Sequence, residues 1–286
     1  MRISCRYKLN FVYFLILGMM CVITIPGNLQ ARTRGILVSP QRILLEGRNR
    51  TASITMVNPG DRPLQFRIEL IHMEMDPQGR LKKIEAPTPA QEEQKKILRY
   101  SPRRTVLDPG KSQTIRLMAR RPAGIPDGEY RMHLSLSPIA LPSPSDKTGA
   151  AANPAGQTNF DIDLLIGVTL PVFVRYGKLE SNVGVSRVDV VKSEKTFVNL
   201  DLTRSGNRSA SVNIDVYLVG ENGQNEERVG VISGAAVYYP NKLRMVRIPL
   251  SLPKNSSLSG RNLKIVLKDN ENKKGAVLFS KIFSVP

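Results

Sequence analysis

From Phe160 to Val174 every second residue is apolar: Phe160, Ile162, Leu164, Ile166, Val168, Leu170, Val172 and Val174. A period of two places that whole series on one face of a β-strand. The other face is mixed, with Asp161, Asp163, Leu165, Gly167, Thr169, Pro171, Phe173 and Arg175. Pro171 has no N–H to give to a ladder, so the strand belongs at a sheet edge or at a bulge. Long apolar edges invite aggregation. A chain that keeps one either buries it as a core strand spanning two domains or adds it to a partner's sheet. Alternation alone leaves both readings open. Asp161 and Asp163 read as solubilising gatekeepers beside it.

The remainder of the chain has to be compatible with such a strand, and it is. Gly35–Gly47 reads as a strand interrupted at Ser39-Pro40. Alternating runs follow at Thr51–Val57, Leu64–Met73, Ile97–Val106, Ser112–Ala119 and Tyr130–Leu136. Asn58-Pro59-Gly60-Asp61, Asp76-Pro77-Gln78-Gly79 and Leu107-Asp108-Pro109-Gly110 turn the chain between them. Lys82–Lys96 is polar and reads as a long loop, with one helical turn within Ala90–Lys96. Pro138–Thr158, rich in Pro, Ala, Ser and Gly, reads as a flexible loop. Beyond Tyr176-Gly177-Lys178, which reads as a hinge, short strands continue at Val185–Val191, Thr196–Thr203, Ser211–Val219, Glu227–Ile232, Ala236–Tyr239, Leu243–Ile248, Asn262–Leu267 and Ala276–Val285. Regular short strands with turns between them predict an all-β chain of two tandem immunoglobulin-like β-sandwich domains, 32–176 and 177–286.

Residues 1–31 are expected to be a secretory signal peptide. Arg2, Arg6 and Lys8 precede the apolar run Phe11–Ile25, which Pro26 and Gly27 break, and Ala31 offers a small residue before cleavage. The run is short for a membrane span, so no stable membrane insertion is expected once it is cleaved. Both cysteines, Cys5 and Cys21, fall in this leader, which leaves no thiol chemistry and no disulfide to the mature chain. The formal charge of +18 falls to +15 once the three basic residues of the leader are removed. The basic residues are scattered and there is no Trp, so the charge predicts attraction to acidic partners or envelope surfaces rather than nucleic-acid binding. The two histidines, His72 and His133, sit in strand-like runs and are expected at strand surfaces. With no Gly-rich phosphate loop and no metal-ligand spacing, no enzyme activity, metal or cofactor is expected.

Several segments together resemble the periplasmic chaperones of the chaperone–usher pathway, which assemble pili. The resemblance covers most of Gly35–Tyr176. Its most specific piece is Tyr100–Leu136, where SPRRTVLDPGKSQTIR and then DGEYR are similar to the core of the family's non-classical branches. Ser39–Gly47 resembles the family's first strand, with Arg42 opening an R-(apolar)-(apolar)-(apolar)-x-G pattern. Thr169–Gly177 resembles the last strand of the family's first domain, with Arg175 matching an arginine near its end.

The resemblance implies a mechanism. Pilus subunits lack their last strand, and the chaperone lends its own until an outer-membrane usher takes the subunit over. The positions that would fill the subunit groove are Ile162, Leu164 and Ile166, extended by Phe160, Val168 and Leu170. Each side chain buried there is worth about 1.5–3 kcal/mol. The subunit's terminal carboxylate would be anchored by a basic pair, and Arg42 supplies one member. At the position of the second, a lysine in the family, this chain has Pro171, and Arg103 and Arg104 are the candidates to replace it. The disulfide of some long-loop members is also absent. The competing function is an exported two-domain adhesion or scaffold protein making static contacts.

Overall fold

The structure is a computed structural model that describes residues 35–140, 165–220, 226–252, 258, 260–271 and 275–285. The leader and the first part of the alternating stretch, including Phe160, Ile162 and Leu164, lie outside the described residues.

The first turn shows why these sequences make sandwiches. Asn58 is fully buried, and its Nδ2 donates to the carbonyls of Arg62 (2.7 Å) and Leu107 (2.9 Å). That buried amide closes the turn between β3 (Thr51–Val57) and β4 (Leu64–Ile71). The short β1 (Leu37–Ser39) pairs with β3, whereas β2 (Ile43–Glu46) joins the opposite sheet, so the first strand changes sheet at Pro40. Ile43 and Leu45 point inward and Leu44 and Glu46 outward, as period two requires.

The next elements are β5 (Met73–Met75), β6 (Leu81–Lys83), the short helix α1 (Pro89–Gln94), β7 (Leu98–Ser101), β8 (Arg104–Leu107), β9 (Ser112–Ala119), β10 (Gly128–Ile139) and β11 (Val168–Tyr176). One sheet has the order β1-β3-β9-β7 and faces a second, β2-β11-β10-β4-β8. Between them lie Ile54, Met56, Phe66, Ile68, Ile115, Leu117, Met132, Leu134, Val172 and Val174. Each contributes about 1.5–3 kcal/mol of burial.

A second core gathers Val198, Leu200, Val212, Ile214, Val216, Ile265 and Leu267. Its sheets are β12 (Ser181–Lys192), β13 (Thr196–Gly206) and β16 (Leu243–Pro249) on one side. On the other lie β15 (Glu226–Val237), β14 (Ala210–Val219), β17 (Asn262–Asp269) and β18 (Val277–Ser284), in that order. A small cluster of Met75, Phe173, Ala236 and Tyr238 joins the two cores. Gly177 carries the chain across with φ +77, a conformation suited to glycine, and a Cβ there would run into the Asp127 side chain. The fold class is all-β, two immunoglobulin-like sandwiches, as the strand spacing predicts.

Several local expectations change. Ile97–Val106 is two strands in different sheets, because Pro102 cannot continue the ladder of β7. The two runs at Glu227–Ile232 and Ala236–Tyr239 are one strand, β15, whose register against β14 slips between Val212 and Ile214. Lys82 and Lys83, expected in a long loop, belong to β6, which pairs with β5; Leu81–Lys83 is wholly exposed and carries no alternation. Both histidines are buried, His133 completely and His72 at 4% exposure, which corrects their placement on strand surfaces.

Candidate functional site: the open edge of β11 and the cleft beside it

β11 is the strand of the alternating stretch. Its described course begins at Val168, and Leu165–Gly167 lie before the strand. Along one side, all of Val168–Tyr176 pairs with β10. Along the other, β2 pairs in parallel with Val172–Arg175 only. Among the described residues, Val168–Pro171 therefore has one unpaired edge. Ile166, just ahead of it, is 46% exposed.

The apolar series does not all face outward. Leu170 is 3% exposed within the first core, and Val168 is half-buried against it. Their side chains complete the chain's own sandwich. This corrects their assignment to a face free for a partner. Of the opposite series, Phe173 and Arg175 meet the second sandwich.

The register lays this face out as rows. Ile43 pairs with Val172, so Arg42 comes level with Pro171, whose partner on β10 is His133. In the next row Phe173 lies between Leu44 and Arg131. In the third, Arg175 lies between Glu46 and Glu129.

That third row is an ion-pair hub. Arg175 Nε donates to Glu129 Oε2 (2.8 Å), and its Nη1 and Nη2 donate to Glu271 Oε2 (2.8 Å) and Oε1 (3.1 Å). The Arg175 and Glu129 side chains are 0% and 1% exposed. Glu129 Oε1 accepts the backbone N–H (2.9 Å) and the hydroxyl of Ser209. Arg42 Nη2 donates to Glu271 Oε1 (2.5 Å), and Arg208 Nη1 to Glu271 Oε2 (3.2 Å). Burial opposes charge on Arg175, but hydrogen bonds and the charges of Glu271 and Glu129 outweigh it and raise its pKa. Burial likewise opposes charge on Glu271, yet Arg175, Arg42 and Arg208 hold its carboxyl below the usual range.

The first and middle rows are unbalanced. Arg42 Cζ lies 4.3 Å from the Phe173 centroid, Tyr238 meets Phe173 edge-on at 5.6 Å, and Arg131 Cζ lies 4.5 Å from the Tyr238 centroid. Arg131 Nε and Nη1, and both ring nitrogens of His133, are buried with no hydrogen-bond partner. Each such group costs about 1–3 kcal/mol. Burial lowers the pKa of Arg131, and burial followed by the Arg131 and His72 charges lowers that of His133 to about 3.

Arg103 and Arg104 are not part of this arrangement. Arg103 stacks on Tyr100 at 4.0 Å, donates to its hydroxyl (2.5 Å), and lines a groove of about 990 Å³ with Lys83, Lys95, Lys96, Arg99 and Arg120. Arg104 lies on β8, the outermost strand opposite β2, and pairs with Arg67 of β4. Four strand spacings, roughly 19 Å, separate those edges. One carboxylate cannot span them. Nothing in the sequence marks Glu129, Arg131, Ser209 or Glu271: Glu129 and Arg131 stand inside the DGEYR run, and Glu271 lies in a stretch without any pattern.

No helix among the described residues is long and apolar enough to cross a membrane. No family model matches the sequence, and no curated protein matches it. Two linked sandwiches with an ion-pair hub between them define the architecture. The chain is similar to solved structures of fimbrial chaperones. The YadV chaperone is 14% identical, with a TM-score of 0.45 over 87% of this chain and 99% of that one. The class 5 fimbriae chaperone CfaA is 16% identical, with a TM-score of 0.43 over 88% and 99%. The CsuC–CsuE chaperone–tip adhesion subunit complex of archaic chaperone–usher Csu pili of Acinetobacter baumannii is 13% identical, with a TM-score of 0.45 over 88% and 98%.

Proposed function

We propose that this chain is a periplasmic, non-enzymatic chaperone that lends a strand to an incomplete pilus subunit and passes it to an outer-membrane usher. One observation carries the reading: among the described residues, one edge of β11 is unpaired along Val168–Pro171 and blocked from Val172 onward by β2, with Arg42 at the boundary. A partner strand added to that edge has to end there. If it ran parallel to β11, its C-terminus would fall beside Arg42, where a carboxylate suits the charge. Antiparallel addition would bring an N-terminus, and its ammonium, to the same cation. Ile166 is exposed, and in sequence the apolar series runs back from it through Leu164, Ile162 and Phe160. The domain limits follow as 1–31, 32–176 and 177–286.

The test is native mass spectrometry of the protein from its host's periplasm. A one-to-one complex with a smaller β-rich protein, lost in Ile166→Asp, is expected. A bare monomer in a host expressing its surface fibres, unaffected by the substitution, would sink the proposal. An adhesion or scaffold role is favoured by one feature, the edge strand β18, where Val277, Leu278 and Ile282 are all about half exposed or more, at 59%, 47% and 52%.

A further inference from the structure

The outer face of the β1-β3-β9-β7 sheet carries cations and no acid. Its strands read LVS, TASITMV, SQTIRLMA and LRYS, without an Asp or Glu among them. In one row Thr51, Met118 and Arg99 lie side by side, and in the next Ser53, Arg116 and Ser101. All six are exposed, and they line one open depression of about 710 Å³. Past the end of β9, Arg120 continues the ladder by donating its backbone N–H to Ile97 O (2.8 Å), and it is exposed as well. Arg99 therefore has Arg116 and Arg120 on its two diagonals, about 7–8 Å away between backbones. Like charges so placed repel one another, and among the described residues no carboxylate pairs with any of the three. The acids in the groove beyond β7, Glu69, Glu85 and Glu92, are taken by Arg67, Lys83 and Lys95.

We infer that this face docks the chain on a bilayer surface of anionic phospholipid. Guanidinium groups set among hydroxyls suit phosphate oxygens, which accept from both. Met118 is 44% exposed at the centre of the three arginines, and Leu37, at the far edge of the same sheet, is 62% exposed. Apolar tips among cations gain nothing from a soluble anion. At a bilayer they reach the acyl boundary while the arginines stay at headgroup level. No aromatic ring stands on the face to stack a base, because Tyr100 packs into the core. The leader expected at residues 1–31 would bring the chain to an envelope, where lipid headgroups present phosphate as a surface. The face is the back of the first sandwich, with the sheet that holds β11 on the other side of the core. The inference therefore stands whether or not β11 lends a strand.

The experiment is co-sedimentation of the exported chain, without its leader, with sucrose-loaded vesicles. Binding is expected to vesicles of equal parts phosphatidylglycerol and phosphatidylcholine, not to pure phosphatidylcholine, and should weaken as salt rises. Arg99→Gln, Arg116→Gln and Arg120→Gln should each weaken it about fivefold, and the triple variant about a hundredfold. Met118→Thr should weaken it with the charge unchanged. Lys192→Gln removes the same charge from β12, an exposed position at the edge of the second sandwich, and should change binding less than about twofold. An equal loss in Lys192→Gln would reduce the effect to net charge and overturn the inference. So would the absence of vesicle binding at low salt, or displacement by inorganic phosphate at constant ionic strength. Tighter binding to a mixed-sequence RNA oligonucleotide, lost in the same three variants, would reassign the face to nucleic acid. The substituted side chains are exposed, so circular dichroism should show folded variants. Should the triple variant unfold, the single ones decide.

Discussion

Arg42 Nη2 and Glu271 Oε1 lie 2.5 Å apart although 229 residues separate them in sequence. The bond fastens the start of the first sandwich to a turn of the second, through a carboxylate that also receives Arg175 and Arg208. Whatever reaches the end of the β11 edge meets a cation that shares one carboxylate with two other arginines.

Removing the centre of this hub should be costly. Arg175→Met leaves Glu129 and Glu271 facing each other without their shared cation, and the fully enclosed Glu129 cannot recover water. A loss of about 3–5 kcal/mol is expected, read from urea unfolding midpoints. Glu46→Gln removes a 3.5 Å contact made by a 44% exposed side chain, and should change stability by less than about 1 kcal/mol.

Ile166 and Leu170 belong to one alternating series but should respond oppositely to a charge. Ile166→Asp places a carboxylate on an exposed residue and should leave the melting temperature nearly unchanged while abolishing subunit capture. Leu170→Asp puts an unpaired charge into the first core and should cost more than about 3 kcal/mol. Circular dichroism melts, run beside pull-down of the subunit, separate the two.

His133 makes stability depend on pH. Its folded pKa, lowered from 6.5 to about 3, means that only the unfolded chain takes up its proton in that window. Stability from this group is complete above pH 6.5 and falls as pH drops toward 3, by about 1.4 kcal/mol per pH unit. His72, lowered by burial, acts in the same direction, and Glu271 joins only below its ordinary value of 4.5. Urea titrations at pH 7, 6 and 5 should show this slope, and His133→Gln should flatten it.

Arg103→Ala and Arg104→Ala should leave subunit capture intact, because neither touches the cleft face around Arg42. Arg103→Ala loses its stack on Tyr100, at about 0.5–1 kcal/mol. A fall in co-purified subunit for either variant would contradict the placement of the site.

The fold was legible because a sandwich strand repeats one rule at every position, and β3 and β9 have the same limits in sequence and structure. What alternation could not report is which apolar face is already taken. Ile166 and Leu170 share a series, and only the point where β10 and β2 take hold of β11 separates an exposed position from a core one. The hub was illegible for another reason. Arg175 is marked only through the resemblance, Glu129 has ordinary strand neighbours, and Glu271 sits in a turn. Their meaning comes from the second sandwich folding over the first, a relation with no local signature. Arg103 and Arg104 looked adjacent to the site because Pro102 was read through as continuous strand.

The parallel contact between β2 and β11 has one more consequence. A strand entering along Val168–Pro171 meets a physical stop at Ile43, so its last residue is fixed and its first is not. The edge works as a ruler read from one end. On the strand-lending proposal, partners with longer or shorter final strands would all be aligned at the same terminus, with any difference in length trailing away past Ile166, and one such edge would accept strands of unequal length without losing register.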